Sequence, residues 1–209
     1  MAMSITELER SLRALRLSGM GATLQVRALA VASHEMDFIE AFSWLVQDEL
    51  DRRRSRLLDR RYTLSGLSER KELKEFDWSY NPSIPKRAVL ELATLKFLDA
   101  REDALLIGKP GTGKSHIALG LGLAACQKGL SVGFTNAAAV VHELIEARDE
   151  KRLLRLQRQL AAYKLLIIDE LGFVPLSQTG AELLFEVFSQ RYERGSTIVT
   201  SGAWELREG

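Results

Sequence analysis

The residues Gly108-Lys109-Pro110-Gly111-Thr112-Gly113-Lys114-Ser115 follow the apolar run Ala104-Leu105-Leu106-Ile107 and precede a helical pattern that begins at His116. Strand, glycine loop and helix in that order are the context a phosphate-binding loop requires. Gly108, Gly111 and Gly113 let the backbone curl so that successive N–H groups converge on phosphate oxygens. The helix N-terminus behind the loop adds partial positive charge. Lys114 is placed to reach the β- and γ-phosphates of a nucleotide, and the Ser115 hydroxyl to ligate Mg²⁺. The bland alternative is a glycine-rich turn with a chance lysine. The full pattern in its required context argues against it.

A second motif supports the first. Leu165-Leu166-Ile167-Ile168 reads as a strand buried in a parallel sheet, and it ends in Asp169-Glu170. Asp169 is expected to hold Mg²⁺, largely through water. Glu170, one residue on, points to the other side and can polarise an attacking water. Gly172 and Pro175 break the chain beyond the strand end.

Strand and helix patterns alternate from Ala104 onward. Strands are predicted over 104–107, 130–135, 164–168 and 197–200. Helices are predicted over 114–128, after Asn136 as a cap, over about 150–162, and over about 179–194 with Gly195 closing the last. Repeated βα units argue an α/β fold, a parallel sheet covered on both faces that binds ligands outside the strand C-termini. Before this core, residues 4 to about 72 read as helices. One stripe is Leu8, Leu12, Leu15 and Met20; a longer one is Phe38, Phe42, Leu45, Val46, Leu50, Leu57 and Leu58. Ser18-Gly19 and Gly21 mark a break between them, and Gly66 ends the helical region or interrupts it near its end. The aromatic, proline-bearing stretch from Phe76 to Pro85 is extended rather than helical. A helix follows over about 86–100. The expected division is a helical region for DNA or partner binding over 1–75, a linker and first helix over 76–103, and the ATPase core over 104–209.

Bulk properties exclude several classes. A hydrophobic share of 46% with 27% charged residues fits a soluble globular protein. The net charge of +1 gives no global nucleic-acid signature, so any basic surface is local. Cys126 is the one cysteine, so no internal disulfide forms, and its place on an apolar helix face reads as packing. No apolar stretch is long enough to span a membrane and no signal peptide is visible, so the expected location is the cytoplasm. Two basic rows are candidates for phosphate contacts on DNA. Arg52, Arg53 and Arg54 lead a cluster with Arg56, Arg60 and Arg61. Lys151, Arg152, Arg155 and Arg158 recur at helical spacing on one face. The plain alternative for either row is a solvated helix face. Phe76 to Ile84 offers a wall for adenine, with a core anchor for the linker as the plain alternative.

Taken together, these residues resemble the IstB-type helper ATPases of insertion sequences, relatives of the DnaC helicase loaders in the AAA+ class. The resemblance covers about residues 5–201. It rests on the leucine-rich helices with Arg52-Arg53-Arg54, the Phe76-Asp77-Trp78 segment, Gly108 to His116, Asp169-Glu170-Leu171-Gly172-Phe173, and Arg191-Tyr192-Glu193-Arg194-Gly195-Ser196-Thr197-Ile198. It implies an AAA+ P-loop core that binds ATP with Mg²⁺ through Gly108, Lys109, Pro110, Gly111, Thr112, Gly113, Lys114, Ser115 and His116. Ser115 and Asp169 would be the metal residues, and Glu170 and Lys114 the catalytic ones. It also implies sequence-tolerant DNA binding, homo-oligomer assembly on DNA, and a transposase of the same element as partner. A replicative helicase loader is the alternative within the resemblance.

The chain departs from the family at its end. A polar residue that senses the γ-phosphate is expected after the last strand, but Thr200-Ser201 lead to Gly202. The family continues further, with an arginine finger and a fifth strand. Arg207 stands in the wrong context for such a finger. The chain is therefore expected to be a truncated product or the first part of a longer gene, with slow turnover in isolation. A catalytically weak nucleotide- and DNA-binding remnant is the third reading. Without a fifth strand, 104–107 becomes a sheet edge prone to association.

Overall fold

The computed structural model describes residues 3–202. Two compact units are present, one through Arg60 and one from Arg61, with the division inside a long helix.

The first unit is built from α1 (Ile5–Ala14), α2 (Ser18–Ala32) and α3 (Phe38–Ser65), the last running on past the division. Ser4 and Glu7 form a capping box at the start of α1, and bonds from the Ser4 backbone and hydroxyl hold the Glu7 carboxyl below its ordinary range. The break expected at Ser18-Gly19 and Gly21 lies earlier, since both glycines are inside α2. Gly19 is there for close approach: a Cβ would lie 2.6 Å from Glu49 Cα and 2.7 Å from Asp48 O on α3. Leu17 offers α2 no side-chain cap, and α3 supplies one. The Glu49 carboxylate accepts the Gly19 N–H at 2.6 Å and the Arg53 Nε–H at 2.6 Å. Arg53 first, with the Gly19 N–H adding to it, holds that carboxyl below the usual range. The long apolar stripe of α3 is mostly not buried. Ala41 and Leu45 are core, while Phe38 is 68% exposed and Phe42 49%.

The second unit carries β1 (Ala104–Ile107), β2 (Val132–Asn136), β3 (Leu165–Leu171) and β4 (Ser196–Ser201), all parallel, in the order β1-β4-β3-β2. Its helices are α4 (Lys86–Ala93), α5 (Lys96–Ala100), α6 (Lys114–Gln127), α7 (Ala137–Asp149), α8 (Leu153–Ala162) and α9 (Gln178–Arg191). The single helix expected over 86–100 is two, because Leu95 adopts φ 62° between them. The unbroken apolar run of β3 follows from cover on both faces. Leu166 and Ile168 pack among Val140, Leu144, Leu183 and Leu184 of α7 and α9. Ile167, on the opposite face, meets α6, where a Cβ on Gly122 would lie 2.8 Å from its Cδ1. Asn136 caps α7, accepting the Ala139 N–H at 2.7 Å, as its position predicts. Cys126 is buried, and burial pushes its thiol pKa up, away from the reactive range. Among the described residues β1 is an edge, with Leu105 61% and Ile107 58% exposed.

Gly195 does not close α9 as expected. The helix ends at Arg191, whose guanidinium turns back and is 1% exposed. It donates to Leu160 O at 2.6 Å, Tyr163 O at 2.9 Å, Ser196 O at 2.6 Å and Thr197 Oγ1 at 3.1 Å. Burial pushes its pKa down to about 10, against the attraction of Asp103, so it stays charged at neutral pH. Gly195 leaves room for it: a Cβ there would stand 3.0 Å from Arg191 Nη2 and 3.0 Å from Tyr163 O.

Candidate nucleotide-binding site

β1 ends at Ile107 and α6 begins at Lys114, so Gly108 to Gly113 form the connecting loop. Gly111 (φ 76°) and Gly113 (φ 91°) take left-handed backbone that glycine adopts without strain. Gly113 also lacks room for a side chain, since a Cβ would lie 2.8 Å from the Phe76 ring. Lys114, the first residue of α6, folds its ammonium over the loop. It donates to Gly108 O at 2.7 Å, Lys109 O at 2.8 Å and Thr112 Oγ1 at 3.4 Å. Thr112 Oγ1 in turn donates to Lys109 O at 2.9 Å. The leading N–H groups of a helix have no intrahelical acceptor, so those of α6 add donors beside this ammonium.

The C-terminal end of β3 lies next to the loop helix. Ser115 Oγ donates to Asp169 Oδ1 at 3.0 Å, which joins the two motifs read from sequence. Asp169 is 7% exposed, and its Oδ1 also accepts the Thr200 hydroxyl. A hydroxyl and a carboxylate side by side are the hard oxygen donors that Mg²⁺ takes, and the Lys114 ammonium with the leading N–H groups of α6 is the donor set an anion takes. The residues present therefore fit a Mg²⁺-bound polyphosphate. Glu170 is exposed and carries φ 60°, and its N–H bonds Thr200 Oγ1 at 3.0 Å.

The segment before the core divides between the two roles open to it. It is not extended but turns twice: Asp77 Oδ1 accepts the Ser79 N–H at 2.9 Å, and Asn81 Oδ1 accepts the Ser83 N–H at 3.2 Å. Phe76 is an anchor, buried against Gly113 and edge-on to His116 with ring centroids 5.0 Å apart. Ile84 and Pro85 instead join Val89, Ile117, Gly108 and Lys114 around a cavity of about 560 Å³ beside the loop. Sequence reasoning missed Val89 and Ile117 as lining, since each reads as an ordinary core position. It also missed Thr200, although two hydroxyl residues ending an apolar strand are a visible signal.

The basic rows stand differently from their sequence reading. Lys151 precedes α8 with φ 58°, and Arg152 caps that helix while pairing with Glu150, so only Arg155 and Arg158 lie on its exposed side. The row does not form one helix face, because α8 starts at Leu153. On α3, Arg53 pairs with Glu49 and Arg54 with Asp51, while Arg52, Arg56 and Arg60 are exposed. Gly202 is the last described residue, and Arg207 lies outside the described residues. Among the described residues no helix is long and apolar enough to cross a membrane.

Comparison with known proteins shows the family and the fold. A family model described as IstB-like ATP binding protein matches residues 10–205. A protein of insertion sequence IS232 from Bacillus thuringiensis subsp. berliner, named for ATP binding, is 33% identical over 95% of this chain and 79% of its own length. Its counterpart in IS21 of Pseudomonas aeruginosa is 33% identical over 93% of this chain and 74% of its own. Among solved structures, AMPPCP-bound DnaA from Aquifex aeolicus aligns with TM-score 0.57 at 18% identity, over 65% of this chain and 43% of that one. The DnaC helicase loader aligns with TM-score 0.54 at 19% identity, over 66% of this chain and 80% of that one. The fold is that of the P-loop AAA+ proteins.

Proposed function

The chain belongs to the family of IstB-like ATP-binding proteins, and from that premise we propose that it is a Mg²⁺-dependent ATPase that assists DNA transposition. The observation that carries this is the 3.0 Å contact between Ser115 of the loop helix and Asp169 at the end of β3. A phosphate loop and a metal-side carboxylate in contact are what phosphoryl transfer from a nucleotide needs.

In this reading, the loop from Gly108 to Gly113 takes the phosphates on its N–H groups and Lys114 turns from the loop carbonyls to the β- and γ-oxygens. His116, packed on Phe76, steadies the first turn of α6. Ile84, Pro85, Val89 and Ile117 offer the nucleoside an apolar cavity. Ser115 and Asp169 would hold Mg²⁺, which would supply neutralisation of phosphate charge when bound. Glu170 takes a proton from water as the water oxygen bonds the γ-phosphorus and the bond to the β–γ bridging oxygen breaks, leaving ADP and phosphate. ATP binding favours assembly of copies on DNA, and hydrolysis reverses it. The curated relatives belong to insertion sequences, which favours a transposase as partner. The helical region over 1–75 and the segment over 76–103 serve DNA or partner contact and attachment to the core.

The test is ATP turnover with and without duplex DNA, beside Lys114→Ala. Turnover that rises with DNA and vanishes with Lys114→Ala is expected. A chain that neither binds nor hydrolyses ATP overturns the reading.

A separate outcome concerns the DNA face. Replacing Arg52, Arg53 and Arg54 by Gln is expected to flatten the plot of log affinity against log salt by about 0.9 for each DNA phosphate that is no longer neutralised. Fluorescence anisotropy over a salt series reads this slope. An unchanged slope would move the DNA-binding face to Arg155 and Arg158 or elsewhere.

A further inference from the structure

The two acidic residues at the end of β3 share one partner that no motif assigns. Ile168 pairs with Val199 and Leu171 pairs with Ser201, so Asp169 and Glu170 of β3 stand opposite Thr200 alone on β4. This is a bulge, and it takes the Glu170 N–H out of the ladder. Glu170 holds φ 60° there, a conformation that side-chain-bearing residues keep only when their surroundings fix it. Thr200 supplies that constraint. Its Oγ1 accepts the Glu170 N–H at 3.0 Å, and the same hydroxyl donates to Asp169 Oδ1. Next to it, Ser201 Oγ donates to Leu171 O at 2.8 Å, on the far side of the bulge. Thr200 is 1% exposed, so water does not compete for either bond.

We propose that Thr200 is a positioning residue that sets the orientation of both Asp169 and Glu170 through one hydroxyl. Its catalytic meaning rests on the ATPase reading. Its physical content is narrower: only a group that donates and accepts at once can serve the carboxylate and the amide together. Serine retains both bonds. Valine matches threonine in shape and makes neither.

The experiment compares the parent chain with Thr200→Val and Thr200→Ser, with Thr200→Ala beside them should valine not fold. Two readouts are taken. The first is amide hydrogen exchange at Glu170 without ligand. The second is kcat and KM for ATP, with the Mg²⁺ concentration that half-saturates turnover. In Thr200→Val, Glu170 exchange should rise at least tenfold while Ile168 keeps its protection. kcat should fall at least tenfold and the Mg²⁺ requirement should rise, with KM for ATP changed much less. Thr200→Ser should restore exchange, kcat and Mg²⁺ requirement to within about threefold. Unchanged Glu170 exchange in both Thr200→Val and Thr200→Ala overturns the clamp. A loss of protection with kcat and Mg²⁺ requirement intact overturns its role in positioning. Equal losses in valine and serine variants would mean that retaining the hydroxyl does not protect the site, and overturn it as well. A parent chain that does not bind ATP sinks the ATPase reading and the positioning role with it. The exchange result still decides whether the hydroxyl holds the bulge, so the two failures are distinguishable.

Discussion

Glu170→Gln is expected to lower ATP turnover by about 10²- to 10⁴-fold, the range that a positioned general base contributes. Nucleotide affinity should stay within a fewfold of the parent, because Glu170 lies beyond the loop that faces the phosphates. Glutamine keeps the length of the side chain and cannot take a proton. The backbone contact to Thr200 uses the amide of residue 170 and survives the change, so the bulge is retained. Steady-state turnover and titration with a fluorescent ATP analogue measure the two quantities. Turnover close to that of the parent would place the base elsewhere. A fall in affinity alongside turnover would mean that Glu170 holds the site together rather than acting on water.

The second large effect concerns stability. Arg191→Ala is expected to cost about 3–5 kcal/mol, since it strands buried acceptors at about 1–3 kcal/mol each and opens a cavity. The acceptors are Leu160 O and Tyr163 O at the end of α8 and Ser196 O at the start of β4. Scanning calorimetry should show the transition of the second unit falling by roughly 10 °C. Arg191→Lys should recover less than half of the loss, because an ammonium lacks the planar fork that reaches several carbonyls at once. A shift of only a degree or two in the alanine variant would mean that water replaces the guanidinium at little cost.

The phosphate loop, the acidic strand end and the parallel sheet are legible in the residues because each rests on local pattern. Glycine spacing, an unbroken apolar run and an asparagine before a helix each carry their own physics. What was not legible is tertiary. Gly19 looks like a helix break in one dimension, and only the backbone of α3 beside it reveals a contact glycine. Gly195 looks like a helix cap, and only the returning side chain of Arg191 explains its place. Arg191 itself reads as one more charge at a helix end, yet it is buried. The row from Lys151 to Arg158 keeps helical spacing on paper, but α8 starts at Leu153 and leaves the first two residues outside. Thr200 was within reach, but its task depends on a bulge in the neighbouring strand that β3's sequence does not announce.

The posture of Lys114 has a consequence for selectivity among anions. Its ammonium already has two carbonyl acceptors within 2.8 Å, so an anion enters by exchange rather than by filling an empty socket. Chloride or a lone sulfate would meet fewer of the donors arrayed along the loop. In the ATPase reading, a polyphosphate would engage the lysine and the loop amides together and gain at several points at once. On that reading the loop would rank solutes by how many charged oxygens they present in a row, before any feature of base or sugar is sensed.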